Sequence, residues 1–285
     1  MKLFLFSFLM CASTIAMAQP KIIYQAIIST TTNVIAPEED DLQNVQNQNT
    51  GGGGGGMAMF RNFGDGETKA TTYLKNDMVK TVIKTDMGRT TIIRNNTAKL
   101  TTTLLEMMGN KNGFYITDDE QKAMAKRMDS MMQARRKDSV QQQPRPATPN
   151  PVETSYTNDT KKIAGYTCKR AYVITTKFLG LKDTVAVWYT PEIKLQNIVS
   201  TGGLSGFGNM GTVSGLDKID GFVMGYEMNM RRNRHMIVEV TKVDIGKEIA
   251  DKEFDIPKDF VVKPMKEMQG LPGMGGGGNI QIIRN

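Results

Sequence analysis

Histidine is all but missing from this chain of 285 residues, which has only His235. That shortage excludes most metal centres and most acid–base machinery, both of which lean on imidazole. Cysteine is nearly as scarce: Cys11 and Cys168 exclude a disulfide-stapled scaffold. Aromatics make up 7% of the chain, with one tryptophan, too few to build base-stacking platforms for nucleic acid. No apolar run reaches the roughly 20 residues that a transmembrane helix needs. What remains is an ordinary globular balance, 39% hydrophobic and 23% charged, with an unusual 21 methionines. Lys+Arg outnumber Asp+Glu by 36 to 29, a net charge of +7. Such an excess favours weak attraction to anionic cell-surface polymers or lipid headgroups.

The first 18 residues read as an export leader. Lys2 is followed by an apolar run from Leu3 to Ile15, a small-x-small site at Ala16-Met17-Ala18, and then Gln19. The expected location is therefore the periplasm or the extracellular space, with cleavage after Ala18. Cys11 does not make a lipoprotein signal, because Met10 stands where a small residue is needed. Cleavage leaves Cys168 as the one thiol, on a strand-like stretch where a buried structural role is expected.

Low-complexity segments divide the rest. Residues 37–58 hold Pro37-Glu38-Glu39-Asp40-Asp41, an Asn/Gln stretch and Gly51 to Gly56. Residues 138–154 hold Gln141 to Gln143 and four prolines. Neither has the apolar surface to offset its ordering entropy, so both are expected to be flexible insertions. The expected organisation is one domain over 19–268, with a Gly-rich tail over 269–285.

Between these segments the chain is mostly strand-like. Lys21 to Asn33, Glu67 to Thr85 broken at Asn76-Asp77, Arg89 to Arg94 and Lys99 to Met107 are β-prone runs. Cys168 to Phe178 and Asp183 to Tyr189 read as a hairpin. The clearest alternation places Met224, Tyr226 and Met228 on one face, then Met236, Val238 and Val240, with Arg231 to Arg234 as the turn. One helix is expected after Thr117-Asp118-Asp119-Glu120, a capping-box pattern with acid in the first turn. Met124, Met128 and Met131 share one face of it. A second helical turn is expected at Asp244 to Ala250. The fold class is thus α+β, mostly β.

Chemical motifs fail on inspection. Gly206-Phe207-Gly208-Asn209-Met210-Gly211 matches G-x-G-x-x-G, but Thr212-Val213-Ser214-Gly215 is poor helix sequence, so a flexible glycine loop is the better account. His235 and Glu239, four apart on a strand, sit roughly 13 Å apart, beyond hydrogen-bond reach. No serine shows the G-x-S-x-G elbow. The acids at 38–41 lack the spaced oxygens of a calcium loop. Met thioethers suit Cu(I), but their helix and strand periods fit apolar packing better. No enzyme, metal or cofactor is expected, and no nucleic acid.

Four stretches together carry a family likeness: Lys161 to Lys169, Val187 to Ile193, Gly221 to Met228, and Phe254 to Phe260. They resemble a family of exported Gram-negative bacterial proteins, the domain-of-unknown-function 4412 family, over residues 60–262. The first two are also similar to the GLPGLI family, whose signature is absent there. The resemblance implies a LolA/LppX-like fold: a curved antiparallel half-barrel with one or two helices on its concave side, whose relatives carry lipids or acyl chains. The family has no ligand motif to carry over. The expected lining of an apolar hollow is therefore Met124, Met128 and Met131 on the helix, facing Met224, Tyr226, Met228, Met236, Val238 and Val240 on the ribbons. Two readings stay open, a binding protein holding a lipid or other hydrophobic ligand, and an envelope interaction protein whose same residues fill a core.

Overall fold

Period-two alternation dominates, and strands dominate the computed structural model. It describes residues 20–35, 66–86, 88–137, 151–176, 180–195, 215–230 and 234–270. In chain order these form β1 (Lys21–Ile23), β2 (Gln25–Ile35), β3 (Gly66–Lys75), β4 (Met78–Thr85), β5 (Gly88–Asn95), β6 (Leu100–Met107) and β7 (Asn110–Thr117). Helix α1 (Asp118–Lys137) follows, then β8 (Val152–Ile163), β9 (Tyr166–Thr176), β10 (Lys182–Thr190) and β11 (Ile193–Leu195). The last strands are β12 (Phe222–Asn229), β13 (His235–Asp244) and β14 (Val261–Pro264).

Twelve strands make one large, curved, open sheet, in the order β14-β7-β6-β5-β4-β3-β2-β13-β12-β10-β9-β8. Every pairing in it is antiparallel except β14 with β7. From β2 to β7, from β8 to β10 and from β12 to β13, strands next to each other in sequence are paired, while β13 pairs back onto β2 and β12 onto β10. β1 and β11 form a separate parallel pair, and their Ile23, Ile193 and Leu195 are buried against the main sheet's core.

The expected strand runs are found, including the break at Asn76-Asp77 and the Cys168 hairpin. β8 begins at Val152, so the end of the Pro-rich stretch is strand. The helical turn expected at Asp244 to Ala250 is absent; a 3-10 turn follows it at Asp251–Phe254. The glycine runs 51–56 and 206–211, the acidic residues 38–41 and the leader with Cys11 lie outside the described residues.

Residues directly opposite in an antiparallel register share a face. The face carrying Ile28, Thr72, Thr81 and Val238 is here the inner face; the reverse is the outer one. From β9 through β4 most buried side chains lie on the inner face, with Cys168, opposite Lys161 on β8, an exception. Between β4 and β5 the protected side changes. Thr91 and Ile93 are buried, but they stand opposite Val82 and Lys80 on the outer face. Thr102 and Leu104 continue that outer row. A strap after β13 accounts for the change. Lys80 Nζ donates to the Glu253 carbonyl at 2.7 Å and pairs with its carboxylate at 2.9 Å, which holds the strap over the outer face. β14 then pairs with β7, setting Val262 beside Gly113 and Leu104.

Candidate functional site

The expected ribbon residues do share one face. Met228 stands opposite Met236, and Tyr226 opposite Val238. They do not line an empty hollow, because Met224, Tyr226, Met236, Val238 and Val240 are only 0–4% exposed. Met224 and Val240 pack with Ile28, Leu74 and Phe222, whereas Tyr226, Met236 and Val238 pack with Val173 and Val187. Leu216 and Ile219, around a 3-10 turn at Leu216–Lys218, cover the second group. Gly215 approaches so closely that an added Cβ would lie 2.3 Å from Val152 Cγ1, and its φ of 92° also favours glycine. Two bonds clamp the crossing. Lys218 Nζ donates to the Val152 carbonyl at 2.7 Å, and the Asp220 amide donates to the Tyr156 hydroxyl at 3.3 Å.

α1 starts as its sequence indicates. The Thr117 amide and hydroxyl both donate to the Glu120 carboxylate, and the Glu120 amide donates back to Thr117 Oγ1. Arg94, on the inner face of β5, grips Asp118 with two nitrogens, one at 2.9 Å. That grip holds the Asp118 carboxyl below its ordinary range; the Thr117 bonds do the same for Glu120. Beyond the first turn the described side chains are exposed except Met124, which is half-buried, and the helix's main contacts are with β7. The side chains of Met128 and Met131 lie outside the described residues. No helix among the described residues is long and apolar enough to cross a membrane.

The wall that sequence reasoning missed lies on the inner face of β5–β7. Register places Ile92, Thr103 and Phe114 in one row, Thr90 and Leu105 in the next, and Arg94, Thr101 and Ile116 in a third. All are half-buried. The signal was present as doublets: Ile92-Ile93, Leu104-Leu105 and Phe114-Tyr115 put apolar groups on both faces of their strands.

The chemistry of the remaining candidates is quiet. Cys168 is 0% exposed, and burial pushes its thiol up to about 11. His235 meets Asn229 Oδ1 at 3.0 Å and Glu227 at 3.7 Å, while Glu239 pairs with Lys161 at 2.9 Å. The His235–Glu239 pair therefore makes no dyad. On the outer face, Lys161 and Arg170 stack on Trp188 at 5.1 and 5.7 Å from its ring centre. Among the described residues no three His, Cys, Asp or Glu side chains are grouped to hold a metal ion.

These features define a class: a mostly β protein built on one open, curved antiparallel sheet whose protected face changes sides along its width. The chain belongs to the family described as Domain of unknown function (DUF4412), whose model matches residues 54–260. No curated protein matches it. Among solved structures it is similar to PNGF-II at 15% identity and a TM-score of 0.38, covering 86% of this chain and 32% of that one. This chain thus spans about a third of that protein's length. It is also similar to a LolA superfamily protein from Nitrosomonas europaea, at 7% identity and a TM-score of 0.30, covering 82% of this chain and 91% of that one. A putative outer membrane lipoprotein-sorting protein domain from Vibrio parahaemolyticus matches at 5% identity and a TM-score of 0.17, covering 81% and 89%. All three scores lie below 0.5, so the architecture stands on the strand pairing itself.

Proposed function

We propose that this is an exported, non-catalytic binding protein that holds a hydrophobic ligand against the inner face of β5–β7. One observation carries the reading. Ile92, Leu105, Phe114 and Ile116 share that face half-open, whereas the β12–β13 ribbon is packed shut. Thr90, Thr101 and Thr103 stand among them on the same face. The Arg94–Asp118 pair closes one end with its charges satisfied. An acyl chain laid along this wall would be held by burial alone, at about 0.8 kcal/mol per CH₂ removed from water. The ribbon residues Met224, Tyr226, Met228, Met236, Val238 and Val240 then serve as the packed core beside the wall on the same face.

The test is lipid extraction and mass spectrometry of protein purified from its native compartment, beside a Phe114→Asp variant that keeps its circular dichroism. The expected result is a stoichiometric hydrophobic ligand on the native protein and its loss from the variant. Repeated absence of any ligand overturns the reading. A second reading, an envelope interaction protein with a filled core, is favoured by the tight packing around Tyr226 and Val238. A co-purifying envelope protein with no lipid would support it.

A further inference from the structure

The half-open wall is bounded differently on its two sides, as one register row across it shows. The row begins in the packed core, where Ile28 on β2 stands opposite Thr72, and Thr72 opposite Thr81, all three buried. Thr72 Oγ1 and Thr81 Oγ1 lie 3.1 Å apart in a hydrogen bond, so each hydroxyl satisfies the other. The row goes on through the half-buried Ile92, Thr103 and Phe114. It ends on β14 at Lys263, which stands opposite Phe114 and is exposed. Val262 fixes the facing of this last strand. A Cβ added to Gly113 would lie 2.8 Å from Leu104 Cδ2 and 3.1 Å from Val262 Cγ2, so Val262 shares the outer face with Leu104. Alternation then puts Val261 and Lys263 on the inner face. Val261 is 58% exposed, a bare apolar group at the same edge.

The row is thus graded: sealed and uncharged at one end, solvated and cationic at the other. An edge lysine that only deterred strand pairing would serve equally well on the outer face. Lys263 is also the uncommitted cation of the wall. Its side chain has no acid partner among the described residues. Arg94, on the same face, already donates to Asn96, Thr101 and Asp118. Of the acids nearest Lys263 along the chain, Asp259 is held by Lys111, and Glu267 makes no ion pair among the described residues. We infer that the ligand of this wall is a single-chain amphiphile with an anionic head, its tail lying across β5–β7 along this row and its head meeting the Lys263 ammonium. From β5 to β14 the row spans roughly 14 Å at one strand spacing per step. The lysine stem carries the ammonium past the edge, so the head keeps its water while the tail is buried. The inference rests on the ligand reading above and gives that ligand its class and its direction.

The experiment is displacement of the neutral fluorescent probe N-phenyl-1-naphthylamine from the full chain beginning at Gln19. Three competitors share one chain length and differ in the head: dodecanoate, dodecanol and dodecyltrimethylammonium, each kept below its micelle-forming concentration and at a mildly alkaline pH that ionises dodecanoate. In Lys263→Glu, dodecanoate is expected to bind about fivefold more weakly, dodecanol as in the parent, and dodecyltrimethylammonium more tightly. Lys263→Gln is expected to fall between parent and Lys263→Glu for both charged ligands. The fold is not at risk in either, because Lys263 is exposed on an edge strand. Lys84→Glu makes the same charge change at an exposed site on the outer face and is expected to leave all three affinities unchanged. Unchanged dodecanoate binding in Lys263→Glu, or an equal loss in Lys84→Glu, would overturn the inference and leave the wall as a site for any apolar chain. Failure of all three ligands to bind the parent, or binding that Phe114→Asp does not weaken, would overturn the ligand reading itself, and this inference with it.

Discussion

The two halves of the sheet solve the same problem in opposite directions. From β8 to β13 the inner face is sealed by the short turn around Leu216 and Ile219, and the outer face is left to charged ladders such as Lys161–Trp188–Arg170. From β5 to β7 the buried residues lie on the outer face, the side on which Lys80 holds the strap around Phe254, and the inner face stays half-open. A single continuous sheet can thus present a closed core and an open wall on the same side, provided that its cover crosses to the other side. β4 is the hinge of this arrangement: its inner residues Val79, Thr81 and Ile83 are buried, while its outer Lys80 anchors the strap.

The sharpest test of that contrast is a matched pair of truncations. Tyr226→Ala empties a fully packed position and is expected to cost about 3–5 kcal/mol of unfolding free energy. Phe114→Ala on the half-open wall is expected to cost about 1–2 kcal/mol, because much of its ring already meets solvent. Denaturant midpoints at constant m-value would measure both. Equal losses would mean that the wall is as closed as the ribbon, and the distinction between the halves would fail.

Much of this was legible in the sequence, and the failures share one cause. Alternation along Met224 to Val240 correctly placed six residues on one face, because a period of two fixes sidedness within a strand. The capping box at Thr117 was readable because it is local. What covers each face is set by residues distant in sequence. Nothing around Leu216 announces that it lies on Tyr226, and nothing around Glu253 announces Lys80. The strands β7 and β8 were missed for a different reason. Asn110 to Asn112 and Val152 to Lys162 are polar, as edge-side strands often are, and carry little hydrophobic signal. The buried position expected for Cys168 is found; its protonated form contributes fully below about 9, and that contribution is lost as pH rises toward about 11.

A smaller effect probes the strap. Lys80→Ala removes the ammonium that bonds both the backbone and the carboxylate of Glu253 and lies 5.7 Å from the Tyr73 ring centre. The ion pair is partly solvated, so the expected cost is about 1–2 kcal/mol. The contrast between halves makes a more specific demand: the loss should be local. Amide exchange should rise along residues 249–264 and on β5–β7, with β12 and β13 unchanged. A uniform rise across the whole sheet would show that the strap is integral to one shared core instead.

The smallest effect concerns the rim of the open wall, where α1 departs. Thr117→Ala removes the hydroxyl that accepts from the Glu120 amide and donates to its carboxylate, at an expected cost of about 1 kcal/mol to the first helical turn. Acid should do the same by another route. Asp118 and Glu120 both have folded pKa values below their unfolded ones, held down by Arg94 and by the Thr117 bonds respectively. Their contribution is therefore fully present above the ordinary carboxylate range and is lost as pH falls through the lowered folded values. A carboxyl that Arg94 no longer holds leaves that guanidinium on the inner face beside Thr101 and Ile116, adding an unpaired charge to the apolar wall. Helix fraying followed by NMR should therefore begin in acid together with weaker ligand retention, whereas in Thr117→Ala the helix end frays at neutral pH and the wall keeps its ligand. Parallel loss in both cases would mean that the helix, and not the Arg94–Asp118 closure, completes the binding wall.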